Sequence, residues 1–288
     1  MVFRKKREIV NLQFKYGDDE IDITDNYKYL GVIFSSRGAM FKKIFSHLNE
    51  KARNAEFALS AQVKCSVGYL QPILAFKMFD VQISPIMEYG SEVWFDNKEL
   101  SEFEKIHLSY MKRTLRVKQS TSTIALYSET GRFSLKMKVR MISYWQKILS
   151  YDDSSLVKQA YNALVLSLDS GRPNWCTTIK EILNEVNLDE CWVQQNFSKN
   201  HLLTFKEKIH ENFMQKCMLE IQDGVRNPKL RTYKLFKTEF KLENYLRQDF
   251  NVSHQLSLIK FRISSHNLAI ETGRFTRPKT PVDNRKCL

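Results

Sequence analysis

The spacing of apolar residues changes once along this chain, from a period of two before Gly38 to about 3.6 after it, and the second regime covers most of the 288 residues. That leaves room for a small sheet only. Leu12-Gln13-Phe14-Lys15 and Glu20-Ile21-Asp22-Ile23-Thr24 alternate apolar and polar residues around Gly17-Asp18, the pattern of a half-exposed hairpin. Tyr27 to Phe34 reads as a third β-rich run, aromatic and branched, closed by Ser35-Ser36-Arg37-Gly38.

Beyond Gly38, Phe41, Ile44, Phe45, Leu48, Ala52, Ala55 and Leu59 make one apolar stripe, with Lys42, Lys43, Lys51 and Arg53 largely off it, so an amphipathic helix is predicted. A second helical stretch starts near Pro72, suited to a first helical turn. It runs through Ile73, Leu74, Phe76, Phe79, Ile83 and Ile86-Met87 toward Gly90, with a kink or break at Pro85. A third helix is predicted from Glu99 to Val117 with Phe103, Ile106, Tyr110 and Met111 facing the core, and a fourth from Arg132 to Ser150. Gly171-Arg172-Pro173-Asn174 reads as a turn between helical units. Ile179 to Val186, Cys191 to Phe197, Leu202 to Gln222 and Leu235 to Leu246 are each periodic, with a break at Asn227-Pro228. The fold class expected is mainly α, with a small antiparallel β-hairpin or sheet at the N-terminus.

Glu-Thr-Gly-Arg-Phe occurs twice, at Glu129 to Phe133 and Glu271 to Phe275, each time after an apolar helical run. A glycine just past a helix end, in the left-handed conformation, accounts for both copies.

The 45 Lys and Arg against 32 Asp and Glu leave a formal charge of +13, which favours a polyanionic partner. Lys112, Arg113, Arg116 and Lys118 gather where the third helix ends. The helix dipole favours cations there in any protein, and nucleic-acid contact is the functional reading of the same cluster. Lys229, Arg231, Lys234, Lys237 and Lys241, interleaved with Tyr233, Phe236, Phe240 and Tyr245, form the densest basic and aromatic mixture. Such a mixture suits base stacking, although the aromatic spacing fits a buried helix face better. No apolar run approaches the roughly 18–20 residues of a membrane span, and no signal-peptide core follows the basic start, so a soluble intracellular protein is expected. Cys65, Cys176, Cys191, Cys217 and Cys287 are odd in number with no Cys-x-x-Cys pair, which points to reduced thiols. The six histidines show no mutual spacing for metal or acid-base work.

Tyr16-Gly17-Asp18-Asp19 matches the aspartate pair with which polymerases hold two metal ions roughly 3.5–4 Å apart. The site would need a further Asp from a neighbouring strand, and Met1 to Lys15 contain one acid, Glu8. The tetrapeptide therefore reads as a solvated turn, and no metal ligand and no catalytic residue is assigned.

The segment after the turn is more specific. Tyr29-Leu30-Gly31-Val32 after a short hairpin resembles the primer-grip region of reverse transcriptases from non-LTR (LINE-type) retrotransposons. The resemblance continues through Phe79-Asp80, Ser84-Pro85-Ile86-Met87-Glu88-Tyr89-Gly90-Ser91-Glu92-Val93-Trp94, Tyr127 to Phe133 and Tyr144-Trp145. It reaches Phe261 to Glu271 with Gly273-Arg274, similar to the segment before a Cys/His zinc knuckle in such elements. Cys287 would stand as the knuckle's first ligand, without the other three that tetrahedral zinc requires.

The resemblance implies the end of a palm with its primer-grip hairpin over 1–37, a helical thumb over 38–150 and a helical linker over 151–288. It also implies that the polypeptide starts inside the polymerase domain, with fingers and catalytic turn upstream. In the family that turn precedes Tyr-Leu-Gly-Val by several tens of residues, whereas Asp19 stands eleven before Leu30. Tyr29, Leu30, Gly31 and Val32 would hold the primer strand, and Lys112, Arg113, Arg116 and Lys118 would lie along the phosphates of an RNA–DNA duplex. Magnesium would belong to the full-length polymerase, and this chain would bind nucleic acid without polymerising alone. The alternatives are a transposon-derived helical protein-interaction module and a decayed element without selected function.

Overall fold

The computed structural model describes residues 13–36, 41–66, 68–95, 97–171, 173–247, 251–273 and 275–285. It is mainly helical, with two small antiparallel hairpins at the N-terminal end. Strands β1 (Phe14–Tyr16) and β2 (Asp19–Ile21) pair across Gly17-Asp18 with Phe14 opposite Ile21, and every position in both is exposed. Strands β3 (Asn26–Tyr29) and β4 (Val32–Ser35) pair with Tyr29 opposite Val32. The run from Tyr27 to Phe34, read from sequence as one strand, is thus two. It reverses at Leu30 (φ 47°) and Gly31 (φ 84°), a two-residue loop with both φ positive, which matches the twist of the flanking strands. Only Gly31 signalled the turn, because a leucine at positive φ is strained and carries no turn propensity.

The helices that build the body are, in chain order, α1 (Lys42–Ser66), α2 (Pro72–Met78), α3 (Ser84–Met87), α4 (Ser91–Trp94), α5 (Asn97–Thr114), α6 (Thr123–Thr130), α7 (Met137–Leu149), α8 (Leu156–Ser167), α9 (Trp175–Asn184), α10 (Asp189–Val193), α11 (Lys199–Gln222), α12 (Tyr233–Phe236) and α13 (Val252–Arg262). The α1 stripe is as expected, with Ile44, Leu48, Ala52 and Leu59 buried and Phe41, Phe45 and Ala55 packed against the core. Pro85 does not break its helix. A π turn over Phe79–Ile83 precedes it, in which the Ser84 N–H reaches back five residues to Phe79 O, and the widened turn accommodates the proline. Phe79, Ile83 and Met87 stay fully buried through this passage.

The fourth predicted helix begins five residues late. Arg132 to Lys136 form a connector: the Arg132 N–H returns to Tyr127 O at 3.2 Å, and side chains take the next ones, Leu135 N–H donating to Glu104 and Lys136 N–H to Glu88 at 3.2 Å. Leu235 to Leu246 is also not one helix. α12 stops at Phe236, and the chain then wraps the buried Lys237 ammonium, which donates to Lys241 O at 2.8 Å and to the Glu243 carboxylate. A paired buried cation outweighed helical periodicity here. The helix expected over Cys191 to Phe197 ends at Val193, and Gln195 takes φ 48°.

The two Glu-Thr-Gly-Arg-Phe copies differ. Gly131 closes α6 at φ 59°, as expected, whereas Gly273 has φ −63°, so the left-handed reading fails for the second copy. There the glycine supplies room instead: a Cβ would meet Arg285 Cγ at 2.8 Å and Ala269 O at 2.9 Å. Gly131 needs both conformation and space, since a Cβ would lie 2.4 Å from Leu242 N, where Thr130 bridges to Leu242. Gly131→Ala is expected to destabilise by about 2–3 kcal/mol, combining the left-handed penalty with a backbone clash. A chemical-denaturation midpoint equal to that of the parent protein would refute this.

Candidate nucleic-acid interface

At the hairpin tip Tyr29 is 58% and Leu30 73% exposed, Val32 is half-buried, and the Tyr89 hydroxyl donates to Leu30 O. Gly31 lets the Tyr89 ring approach, because a Cβ there would already sit 3.4 Å from Tyr89 Cε1. Tyr89 is itself fixed. Gly90 at φ 67° turns the chain after α3, and the Trp94 indole N–H donates to Tyr89 O at 2.8 Å. The tip therefore presents Tyr29 and Leu30, with Tyr27 (54% exposed) beside them, from a base anchored to the helical body. These three side chains are uncharged and offer stacking and backbone contact, while the exposed Lys28 between Tyr27 and Tyr29 adds one positive charge.

The four cations predicted near the end of α5 divide into two pairs. Lys112 Nζ donates to Gln119 O at 2.6 Å, and burial pushes its ammonium below the usual lysine range. Arg113 forms an ion pair with the buried Glu56 at 3.2 Å and lies over the Phe57 ring at 5.1 Å; burial, opposed by Arg113, raises the Glu56 carboxyl. These two are engaged in holding α5 to its surroundings. Arg116 and Lys118 are exposed. Arg116 closes the helix at φ 50° and lies over Tyr69 at 5.2 Å, while Lys118 Nζ donates to His266 O at 2.8 Å. Arg116 and Lys118 are thus brought beside the segment around Ser265-His266, which no sequence pattern linked to them.

The hairpin tip and this cationic pair are not brought together. The Phe41 ring packs on Phe34 of β4, whereas Val63 and Lys64 near the other end of α1 share a cavity with Arg113 and Arg116. At 1.5 Å per residue, residues 41 and 63 lie about 33 Å apart along the helix.

Most of the remaining residues singled out from sequence form scaffold. Arg132 joins Asp80 through its guanidinium and donates from Nε to His107 Nε2 at 3.0 Å. That fixes the His107 proton on Nδ1, from which it donates to Glu104 at 3.2 Å. Burial alone would raise the Glu104 carboxyl, but hydrogen bonds from His107, Tyr127 and the Leu135 N–H outweigh it and hold the group below its usual range. Glu129 is fully buried and accepts from Tyr233 at 2.9 Å, from Tyr245, and from Arg262 at 2.6 and 3.3 Å.

The basic and aromatic mixture at 229–245 belongs to this core in part, with Phe236 and Lys241 exposed. Tyr233, Tyr245 and Lys237 are buried, Phe240 packs on Phe133 and Phe213, and Lys241 pairs with Glu239 at 2.7 Å. Asp18 and Asp19 sit exposed at the first hairpin turn. Among the described residues no group of three or more His, Cys, Asp or Glu is arranged to hold a metal ion, and Cys287 and Arg274 lie outside those residues. Cys176, Cys191 and Cys217 are buried free thiols and Cys65 an exposed one. No described helix is long and apolar enough to cross a membrane.

No family model, curated protein or solved structure matches this chain.

Proposed function

We propose that the chain holds an RNA–DNA duplex as the primer-grip and thumb part of a non-LTR reverse transcriptase, with the metal-binding carboxylates of polymerisation supplied by other residues than Asp18 and Asp19. One observation carries this reading: sequence-distant residues that bear the resemblance touch one another. Leu30 meets Tyr89, Asp80 meets Arg132, and Glu129 meets Arg262. Unrelated coincidences of sequence have no reason to converge in space, whereas motifs that define one fold do.

In this scheme Tyr29 and Leu30 lie against the primer strand near its 3′ end. Arg116 lies toward the opposite end of α1, beside Val63 and Lys64, so the tip and the cationic pair would contact separate parts of the duplex. Contact of this kind positions the substrate and reads no sequence.

The expected result is salt-sensitive binding. For a 20-base-pair RNA–DNA hybrid followed by fluorescence anisotropy, the logarithm of the association constant should fall against the logarithm of salt with a slope of about −3 or steeper, as for three or more neutralised phosphates. A flat slope, or no binding at 50 mM salt, would remove the reading and leave a protein-interaction module as its successor.

A further inference from the structure

Arg116, Lys118 and the end of α13 enclose a cavity of about 300 Å³ whose other lining residues are Ser257, Lys260, Ser265, His266 and Asn267. By volume it holds about ten waters, enough for a phosphate group with part of its hydration shell. Its lining carries three permanent cations and, among the described residues, no carboxylate. The donors facing it are largely unspent. Lys260 Nζ makes no hydrogen bond or ion pair among the described residues, and the Asn267 amide makes none. Lys118 has given one of its three N–H groups to His266 O, and the one hydrogen bond from the Arg116 guanidinium is long, 3.4 Å to Gly68 O.

His266 adds a further donor. Its Nδ1 accepts from the Leu268 N–H at 3.3 Å, which leaves the proton on Nε2. Burial lowers the imidazole from its usual value, Glu271 opposes this and Lys118 adds to it. Glu271 is buried and does not line the cavity. Ser265 locks the two walls together, its hydroxyl accepting from the Lys118 N–H at 2.8 Å and from Thr121 at 3.2 Å. The Arg116 backbone adopts φ 50° at a helix end, where glycine would be the unstrained choice.

We propose that this cavity is a phosphate subsite that clamps one backbone phosphodiester of a bound nucleic acid, an inference that rests on the duplex-binding reading above. Tetrahedral oxygens suit this lining of two lysines, an arginine and an imidazole drawn from two segments 147 residues apart, with the Arg116 guanidinium also lying over Tyr69 at 5.2 Å.

The test compares Lys260→Ala and Arg116→Gly with Lys216→Ala, an exposed lysine on α11, in hybrid binding across a salt series. Lys260 has no internal partner and glycine suits position 116, so both variants should fold. Each should weaken hybrid binding three- to tenfold and make the salt slope shallower by about 1, while Lys216→Ala matches the parent. In parallel, inorganic phosphate is titrated while the His266 imidazole resonance, assigned with His266→Gln, is followed by NMR. Saturable movement in the parent that is lost in Lys260→Ala, and is suppressed by the hybrid, supports the clamp. Parent-like salt slopes in both variants overturn the subsite while leaving duplex binding in place. Phosphate-induced movement that the hybrid does not suppress also overturns it, because the cavity would then serve free phosphate. Failure of the parent chain to bind the hybrid overturns the underlying reading instead.

Discussion

Glu129→Gln is expected to cost about 3–5 kcal/mol of stability, the range for removing one partner from a buried ion pair. The carboxylate is fully buried, and four hydrogen bonds reach it from Tyr233, Tyr245 and the Nε and Nη2 groups of Arg262. Arg262 also meets Glu243 at 3.2 Å, and Glu243 pairs with the buried Lys237, so two carboxylates balance two cations. Glutamine keeps the volume but turns an NH2 toward groups that donate in the parent, two of them fixed guanidinium N–H groups that cannot accept, and it leaves one cation unmatched. The measurement is urea unfolding followed by far-ultraviolet circular dichroism. Glu129→Met combined with Arg262→Met should recover most of the loss, since the charge and its partner leave together. A single-variant loss below about 1 kcal/mol would show that water reaches this network and that the pair is not buried in solution.

Raising the pH should unfold the protein cooperatively between about pH 10.5 and 12. Burial raises the Tyr110 and Tyr161 phenols to about 12, and raises Tyr127, Tyr233 and Tyr245 further, the last three reinforced by the carboxylates of Glu104 or Glu129 that their hydroxyls touch. A group whose folded value lies above its unfolded value contributes stability that is complete below the unfolded value and is lost as pH climbs toward the folded one. The unfolded phenol titrates at 10.0, so the loss begins there. Each such tyrosine removes about 1.4 kcal/mol per pH unit, and five together about 7 kcal/mol, comparable with the whole stability of an ordinary domain. Tyrosinate absorbance at 295 nm for the buried phenols should therefore rise together with loss of helical signal at 222 nm. Helical signal that persists beyond pH 12, or buried phenols that ionise before it declines, would contradict these assignments.

The sequence made legible those features that depend on near neighbours. The α1 stripe and the buried face of α5, with Phe103, Ile106, Tyr110 and Met111, follow from periodicity because a helix repeats every few residues. Periodicity failed where a distant partner overrides local preference. Arg132 to Lys136 leave the helix where Glu104 and Glu88 take the Leu135 and Lys136 N–H groups, and Lys237 ends α12 by turning inward to Glu243. Leu30 sits at positive φ in a turn that its side chain does not favour, held by a hydroxyl 59 residues later. The interface divides in the same way. Arg116 and Lys118 stood out by clustering, whereas Lys260 and His266 join them only through folding. No local signal distinguishes Lys112 and Arg113, engaged with Gln119 and Glu56, from Arg116 and Lys118, which line the cavity with His266.

The Glu129–Arg262 contact spans 133 residues of chain. During synthesis at roughly 5–20 residues per second, Glu129 leaves the ribosome about 7–27 s before Arg262 does. For the first 104 of those residues the carboxylate has neither its cation nor either phenol, and the cation is the last of the three to arrive, so α6 must remain hydrated at the position that later becomes fully buried. Synthesis of the segment around Arg262 is therefore what releases the earlier part from waiting.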